Sequence, residues 1–135
     1  MINKKWGGSI KNWESIDERI LRLDMNIRGY QLTIIAIYAS NEDNGATVKD
    51  EFFANLNEEI VISGNGRQPV LVGDMYGRTG RKTVDAVVGS FGEDRVNENG
   101  ERLIELCTQT SLKIWNGFLI IKVCINIHGS NIQKI

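Results

Sequence analysis

The sequence predicts a mixed α/β (α+β) domain whose elements run β-β-α-β-loop-α-β-β. Three observations carry this. Arg19 to Ile27 alternates, with Leu21, Leu23, Met25 and Ile27 on one face and Arg22, Asp24 and Asn26 on the other, the period of a half-buried strand. Val48, Phe52, Leu56 and Ile60 lie four apart and form one apolar stripe along a helix. Pro69 to Val72 is a short apolar run closed by Gly73, as in a buried strand. Strands and helices interleaved in this order fit a mixed, largely antiparallel sheet with helices against it.

The elements follow in chain order. Arg28-Gly29 supplies a turn, and Tyr30 to Ala39 is a second strand of strong β propensity, so the first two strands pair as an antiparallel hairpin. Ser40 to Ala46 is a loop by composition. The first helix starts at Thr47, whose hydroxyl caps it, with Asp50 three residues on favouring the positive end of the dipole. Ser63-Gly64-Asn65-Gly66 stops it. After the Asp74 strand a long polar segment reaches Asn99, the expected cap of a second helix, Gly100 to Thr110, with Leu103, Leu106 and Cys107 inward. Leu112 to Trp115 and Phe118 to Ile127 read as the last strands. The final run is very apolar with little chain after it, so something must cover it or it forms an aggregation-prone edge. The simplest expectation is an incomplete chain.

Size and composition bound the function. With 135 residues the chain is one domain. Hydrophobic residues at 41% and charged residues at 24% are ordinary for a soluble globular protein. A net charge of −1 excludes a generic polyanion binder, so any nucleic-acid contact needs a local patch. No apolar run approaches the ~20 residues of a membrane helix, and no apolar core follows the lysines of the N-terminal segment, so neither membrane nor signal peptide is expected. Cys107 and Cys124 stand alone without metal-ligand spacing, as core thiols in a reducing compartment. The expectation is an intracellular, soluble protein.

Candidate chemistry centres on Asp74, which closes the Pro69 strand and opens the turn Gly73-Asp74-Met75-Tyr76-Gly77. A strand end fixes a carboxylate while the loop beyond admits substrate, although an Asp opening a turn is the more common occurrence. Arg78, Arg81 and Lys82 follow it, either a solvated charged loop or a phosphate-contacting rim. Tyr38, at the end of its strand, offers a phenol to the same place if its strand neighbours that of Asp74. His128 is the only histidine, so a histidine relay has no redundancy, and Gly77 to Gly80 lacks the spacing of a nucleotide-binding glycine loop.

Five ordered blocks then carry a resemblance. They are Glu18-Arg19-Ile20-Leu21-Arg22-Leu23, Leu32-Thr33-Ile34-Ile35-Ala36-Ile37-Tyr38-Ala39, Val70-Leu71-Val72-Gly73-Asp74, Gly89-Ser90-Phe91-Gly92-Glu93 and Asn97-Glu98-Asn99-Gly100-Glu101-Arg102-Leu103. Together they resemble the endonuclease domain of LINE-type retrotransposons and the craniofacial development protein 2-like relatives, within the endonuclease/exonuclease/phosphatase (DNase I-like) family. The resemblance implies a four-layer sandwich, of which residues 1–118 would be the central part and residues 119–135 a divergent tail. It implies Mg²⁺-dependent phosphodiester hydrolysis on DNA, in the nucleus, with no small-molecule cofactor. By the same resemblance Asp74 matches the aspartate that orients or deprotonates the attacking water and Tyr38 the tyrosine on the scissile phosphate, while Arg78, Asn97 and Asn99 lie near bound DNA. No residue of this chain matches a metal ligand, since the blocks carrying the metal-binding glutamate and the histidine are absent. Where the family has Phe and Asn after the aspartate this chain has Met75 and Tyr76, so an amide donor has become a bulky phenol. The expectation is an endonuclease fragment, inactive alone; the alternative is a non-catalytic remnant or interaction module.

Overall fold

The sheet begins with a strand that the sequence pattern does not announce. In the computed structural model, which describes residues 4–81, 87–89, 92–115 and 122–126, a short 3-10 helix (Lys4–Ser9) leads into β1 (Ile10–Ser15). Five of its six residues are exposed, so no apolar alternation marks it. β1 pairs antiparallel with β2 (Ile20–Ile27), and β2 with β3 (Tyr30–Tyr38). Arg28 and Gly29, with φ of 49° and 86°, make the expected turn between them. Positive φ at both central residues matches the twist of a two-residue hairpin.

The chain then crosses over. α1 (Ala46–Gly64) carries it to β4 (Gln68–Asp74), which lies parallel to β3; a parallel neighbour needs such a connection. α2 (Glu98–Gln109), β5 (Leu112–Trp115) and β6 (Lys122–Asn126) complete a six-stranded sheet of order β1-β2-β3-β4-β6-β5. The other strand pairs are antiparallel, as expected. β6 lies between β4 and β5, so the described part of the last apolar run is an interior strand paired on both sides, and the boundary drawn at Phe118 falls outside the described residues.

The core joins one face of the sheet to both helices. Ile20, Ile35, Ile37 and Leu71 pack with Phe52, Leu56 and Ile60 of α1 and Leu103, Leu106 and Cys107 of α2. Burying each large apolar side chain contributes roughly 1.5–3 kcal/mol. The described residues thus make one sheet and one helical layer. None of their helices is long and apolar enough to cross a membrane.

Three local expectations need correction. The helix begins one residue earlier than Thr47, with Gly45 at the N-cap and no side-chain cap; the loop ties the first turn by Val48 and Lys49 amides donating to the Gly45 carbonyl. In the apolar stripe, Val48 is 46% exposed, and Lys49 takes the buried position beside it. In β2 the apolar set faces away from the helices. Leu21, Leu23 and Met25 register with Ala36, Ile34 and Leu32, whereas Arg22 registers with Ile35 and Asp24 with Thr33, and paired residues share a face. Under α1, Arg22 bonds Glu59 at 2.9 Å and Glu14 at 2.6 Å, and Thr33 donates to Asp24 at 2.6 Å. The opposite face is apolar and partly open, with Leu21 42% exposed and Leu23, Ile34, Val70 and Val72 half-buried.

Candidate active site

Tyr38 and Asp74 are direct partners at the C-terminal ends of the parallel strands β3 and β4. Their neighbourhood depends on Gly73, whose φ is 138° and where an added Cβ would stand 1.9 Å from the Ile37 carbonyl oxygen. Only glycine permits that conformation and that approach. Beyond Asp74 the Ala39 amide donates to its carbonyl at 2.8 Å, locking the two strand ends together. Met75 drops into the core, 1% exposed. Tyr76 turns back out with φ of 46°, held by its amide donating to Asp74 Oδ1 at 2.9 Å, an aspartate turn of the usual kind.

Tyr76 meets Tyr38. Their hydroxyls are 2.5 Å apart, one donating to the other, and the rings stand edge to face with centroids 5.6 Å apart at 78°. This hydrogen bond to Tyr38, then partial desolvation, then electrostatic repulsion from Tyr38 and from the Asp74 carboxylate, raise the Tyr76 phenol above its ordinary value of 10.0, with Arg19 opposing. The sequence placed Tyr76 only as a departure; that it caps Tyr38 follows from its left-handed backbone, which no local pattern signals.

Beneath this surface lies a frame built on α2. Asn97, not Asn99, is the helix cap, and the reason is geometric. Its Oδ1 accepts from Gly100 N at 2.9 Å and Arg78 N at 2.7 Å, while its Nδ2 donates to Tyr76 O at 2.9 Å and Glu42 Oε2 at 3.1 Å. Both donors and both acceptor directions of the amide are used within the molecule. Asn99 is fully buried and donates to Ser40 O at 2.9 Å and Met75 O at 3.4 Å. Both side chains take positioning roles within the molecule: Asn97 holds the turn after β4, and Asn99 ties the chain just past β3 to the chain just past β4. Gly100 is required for the same seam, since a Cβ there would lie 1.8 Å from Arg78 O.

A charged network extends the frame to α1. Glu42 Oε1 accepts the Glu98 amide at 3.1 Å, a carboxylate at a helix N-terminus. The buried Lys49 donates to Glu42 O at 2.6 Å and Glu98 Oε2 at 2.9 Å. Arg102 binds Glu98 Oε1 at 2.9 Å and also Asp50. The Lys49 hydrogen bond first, then that of Arg102, hold the Glu98 carboxyl below its ordinary value of 4.5. Sequence reasoning missed Lys49, Glu42 and Glu98, because a lysine on a polar helix face carries no signal of burial.

The basic rim is paired. Arg78 stands 3.5 Å from Glu93, both about half exposed. Arg81 is 3.1 Å from Asp94 and donates to Gly92 O at 2.6 Å. Lys82 and His128 lie outside the described residues. Cys107 is buried in the core, as expected of a core thiol.

Mg²⁺ tests poorly against this donor set. The ion takes oxygen ligands in octahedral geometry, usually with one or two carboxylates plus water and phosphate. Asp74 is one carboxylate with two phenols nearby, and it already accepts the Tyr76 amide; Glu42 and Glu98 are engaged by Lys49 and the α2 terminus. Among the described residues no three His, Cys, Asp or Glu side chains cluster to hold a metal. The described residues alone do not compose a Mg²⁺ site.

The described residues form a mixed sheet backed by two helices, with a Gly-Asp strand end beside a strand-terminal tyrosine. Among curated proteins the chain is similar to craniofacial development protein 2 of Bos taurus, 25% identical over 116 residues, and of Tragulus javanicus, 24% identical over 116 residues. Each likeness covers 86% of this chain and 20% of the relative, so the chain spans about a fifth of the length of the curated relatives it matches. Among solved structures it is similar to the endonuclease domain of TRAS1, a telomere-specific non-LTR retrotransposon, with a TM-score of 0.57 and 15% identity over 81% of this chain and 49% of that one. No protein-family profile matches. The two kinds of likeness support the endonuclease/exonuclease/phosphatase family at low sequence identity, and the structural one shows the fold.

Proposed function

We propose that the chain is the central part of a retrotransposon-type DNA endonuclease domain that does not cut DNA by itself. The observation that supports this is the side-by-side placement of Tyr38 and Asp74 at adjacent parallel strand ends, both exposed. There a carboxylate can take a proton from water while a phenol donates to a phosphate oxygen. In this reading Mg²⁺ belongs to the complete family site and supplies charge stabilisation there, DNA is the partner, and Arg78 contacts its backbone after release from Glu93. The nucleus is the compartment such a partner implies.

Two features argue against activity in this chain. The residue two after Asp74 is a phenol instead of an amide, and it occupies the Tyr38 hydroxyl. Among the described residues, Glu42 and Glu98 are engaged elsewhere and no cluster of carboxylates stands around Asp74. The second reading, a non-catalytic remnant or interaction module, rests on that Tyr38–Tyr76 contact. The test is nicking of supercoiled plasmid with Mg²⁺, comparing the chain with Asp74→Ala. Neither protein is expected to relax plasmid above buffer; nicking that disappears in Asp74→Ala would show an active site and refute the inactivity.

A further inference from the structure

The Tyr38–Tyr76 pair has properties that hydrolysis does not call for. Tyr38 is 54% exposed, and in an edge-to-face pair the ring that presents its edge keeps both of its own faces clear of its partner. The hydroxyl bond of 2.5 Å fixes both rings relative to each other. Tyr76 is held in a left-handed conformation, φ 46°, which costs a bulky residue strain unless its surroundings impose it. Here Asp74 Oδ1 and Asn97 Nδ2 grip its amide and its carbonyl. The result is a rigid aromatic step at the mouth of the strand ends. A cation and an anion flank it along the chain: the Arg19 carbonyl accepts the Tyr38 amide at 2.9 Å, and the Asp74 carboxylate accepts the Tyr76 amide at 2.9 Å. The Arg19 guanidinium is loosely held, with Ala39 O at 3.4 Å and Glu18 Oε1 at 3.5 Å, so it can turn to an outside anion.

We propose that Tyr38 and Tyr76 form a stacking platform for an unpaired nucleobase, with Arg19 on the adjoining phosphate and Asp74 accepting from a base N–H, so that the site prefers single-stranded over duplex DNA. A paired base hides its ring faces inside the duplex, whereas an unpaired one can lie on a tyrosine. This rests on the reading of the site as one that handles DNA. Base–aromatic stacking is worth about 1–3 kcal/mol per base, which corresponds to roughly 5- to 150-fold in affinity.

The experiment is fluorescence anisotropy in EDTA, where cleavage plays no part, with a labelled oligo-dT strand and a hairpin duplex of equal nucleotide count. The chain is compared with Tyr38→Ala, Tyr76→Ala and the double variant Tyr38→Phe/Tyr76→Phe. The proposal expects tighter binding of the single strand, a loss of about tenfold in either alanine variant, and retention within about threefold in the double Phe variant, which keeps both rings and reports on folding. Tighter or equal binding of the duplex would overturn the single-strand preference while leaving the endonuclease reading standing. Equal single-strand affinity in the alanine variants would overturn the platform itself. Binding of neither DNA would overturn this inference and remove its foundation together.

Discussion

The frame behind Asp74 and the surface in front of it obey different rules. Behind it, Gly73, Gly100, Asn97 and Asn99 have no freedom: two glycines sit where a Cβ would meet a carbonyl oxygen at 1.9 and 1.8 Å, and the two asparagines direct their amides to backbone groups on three segments. In front of it, Tyr38, Asp74 and Tyr76 are wholly or partly open to solvent and bonded mainly to one another. The frame sets where two strand ends lie; the surface sets what they can do. Such a frame can keep its geometry while the groups on the surface in front of it change.

The largest effect should come from the glycines. Gly100→Ala drives a Cβ into Arg78 O and should cost about 3 kcal/mol or more, a large share of the about 5–15 kcal/mol that holds a domain together. Gly73→Ala adds a left-handed-region penalty to a similar clash. Urea melts of both should show the midpoint collapse, and a wild-type midpoint for either would break the frame argument. Next comes Asn99→Ala, which strands two buried carbonyls and should cost about 1–3 kcal/mol in the same measurement.

A smaller, conditional effect belongs to the Glu98 network. Its carboxyl is held below 4.5 in the folded state, so the stabilisation is present above that pH and is lost as pH falls through the folded value. Stability of the wild type should therefore drop below pH 4.5 by more than that of Glu98→Gln, read from melting temperatures at pH 7 and pH 3.5. Parallel curves would remove Glu98 from the frame. The smallest effect is expected at the surface, where Tyr76→Phe breaks one exposed hydrogen bond and should change stability by less than about 1 kcal/mol.

What the sequence revealed follows the same division. Strand ends, the helical stripe of Phe52, Leu56 and Ile60, and the hairpin at Arg28-Gly29 were legible because burial imposes a period on them. Asp74 and Tyr38 were legible because each ends an apolar run, and their adjacency follows once α1 makes β3 and β4 parallel neighbours. β1 was hidden by its exposure, and the direction of β2 was hidden because Arg22 and Asp24 are satisfied under α1 by Glu59 and Thr33. The pairing of Tyr38 with Tyr76, the burial of Lys49 and the choice of Asn97 over Asn99 as cap depend on long-range contacts. A local pattern contains no trace of those.

The central claim is that a rigid, internally bonded frame presents Asp74 and Tyr38. It is tested most directly by amide hydrogen exchange at Arg78 and Gly100, whose N–H groups both donate to Asn97 Oδ1. The account predicts strong protection of both in the wild type and its selective loss in Asn97→Ala while core amides of β3 stay protected. Exchange of both amides at unfolded-chain rates in the wild type would contradict it.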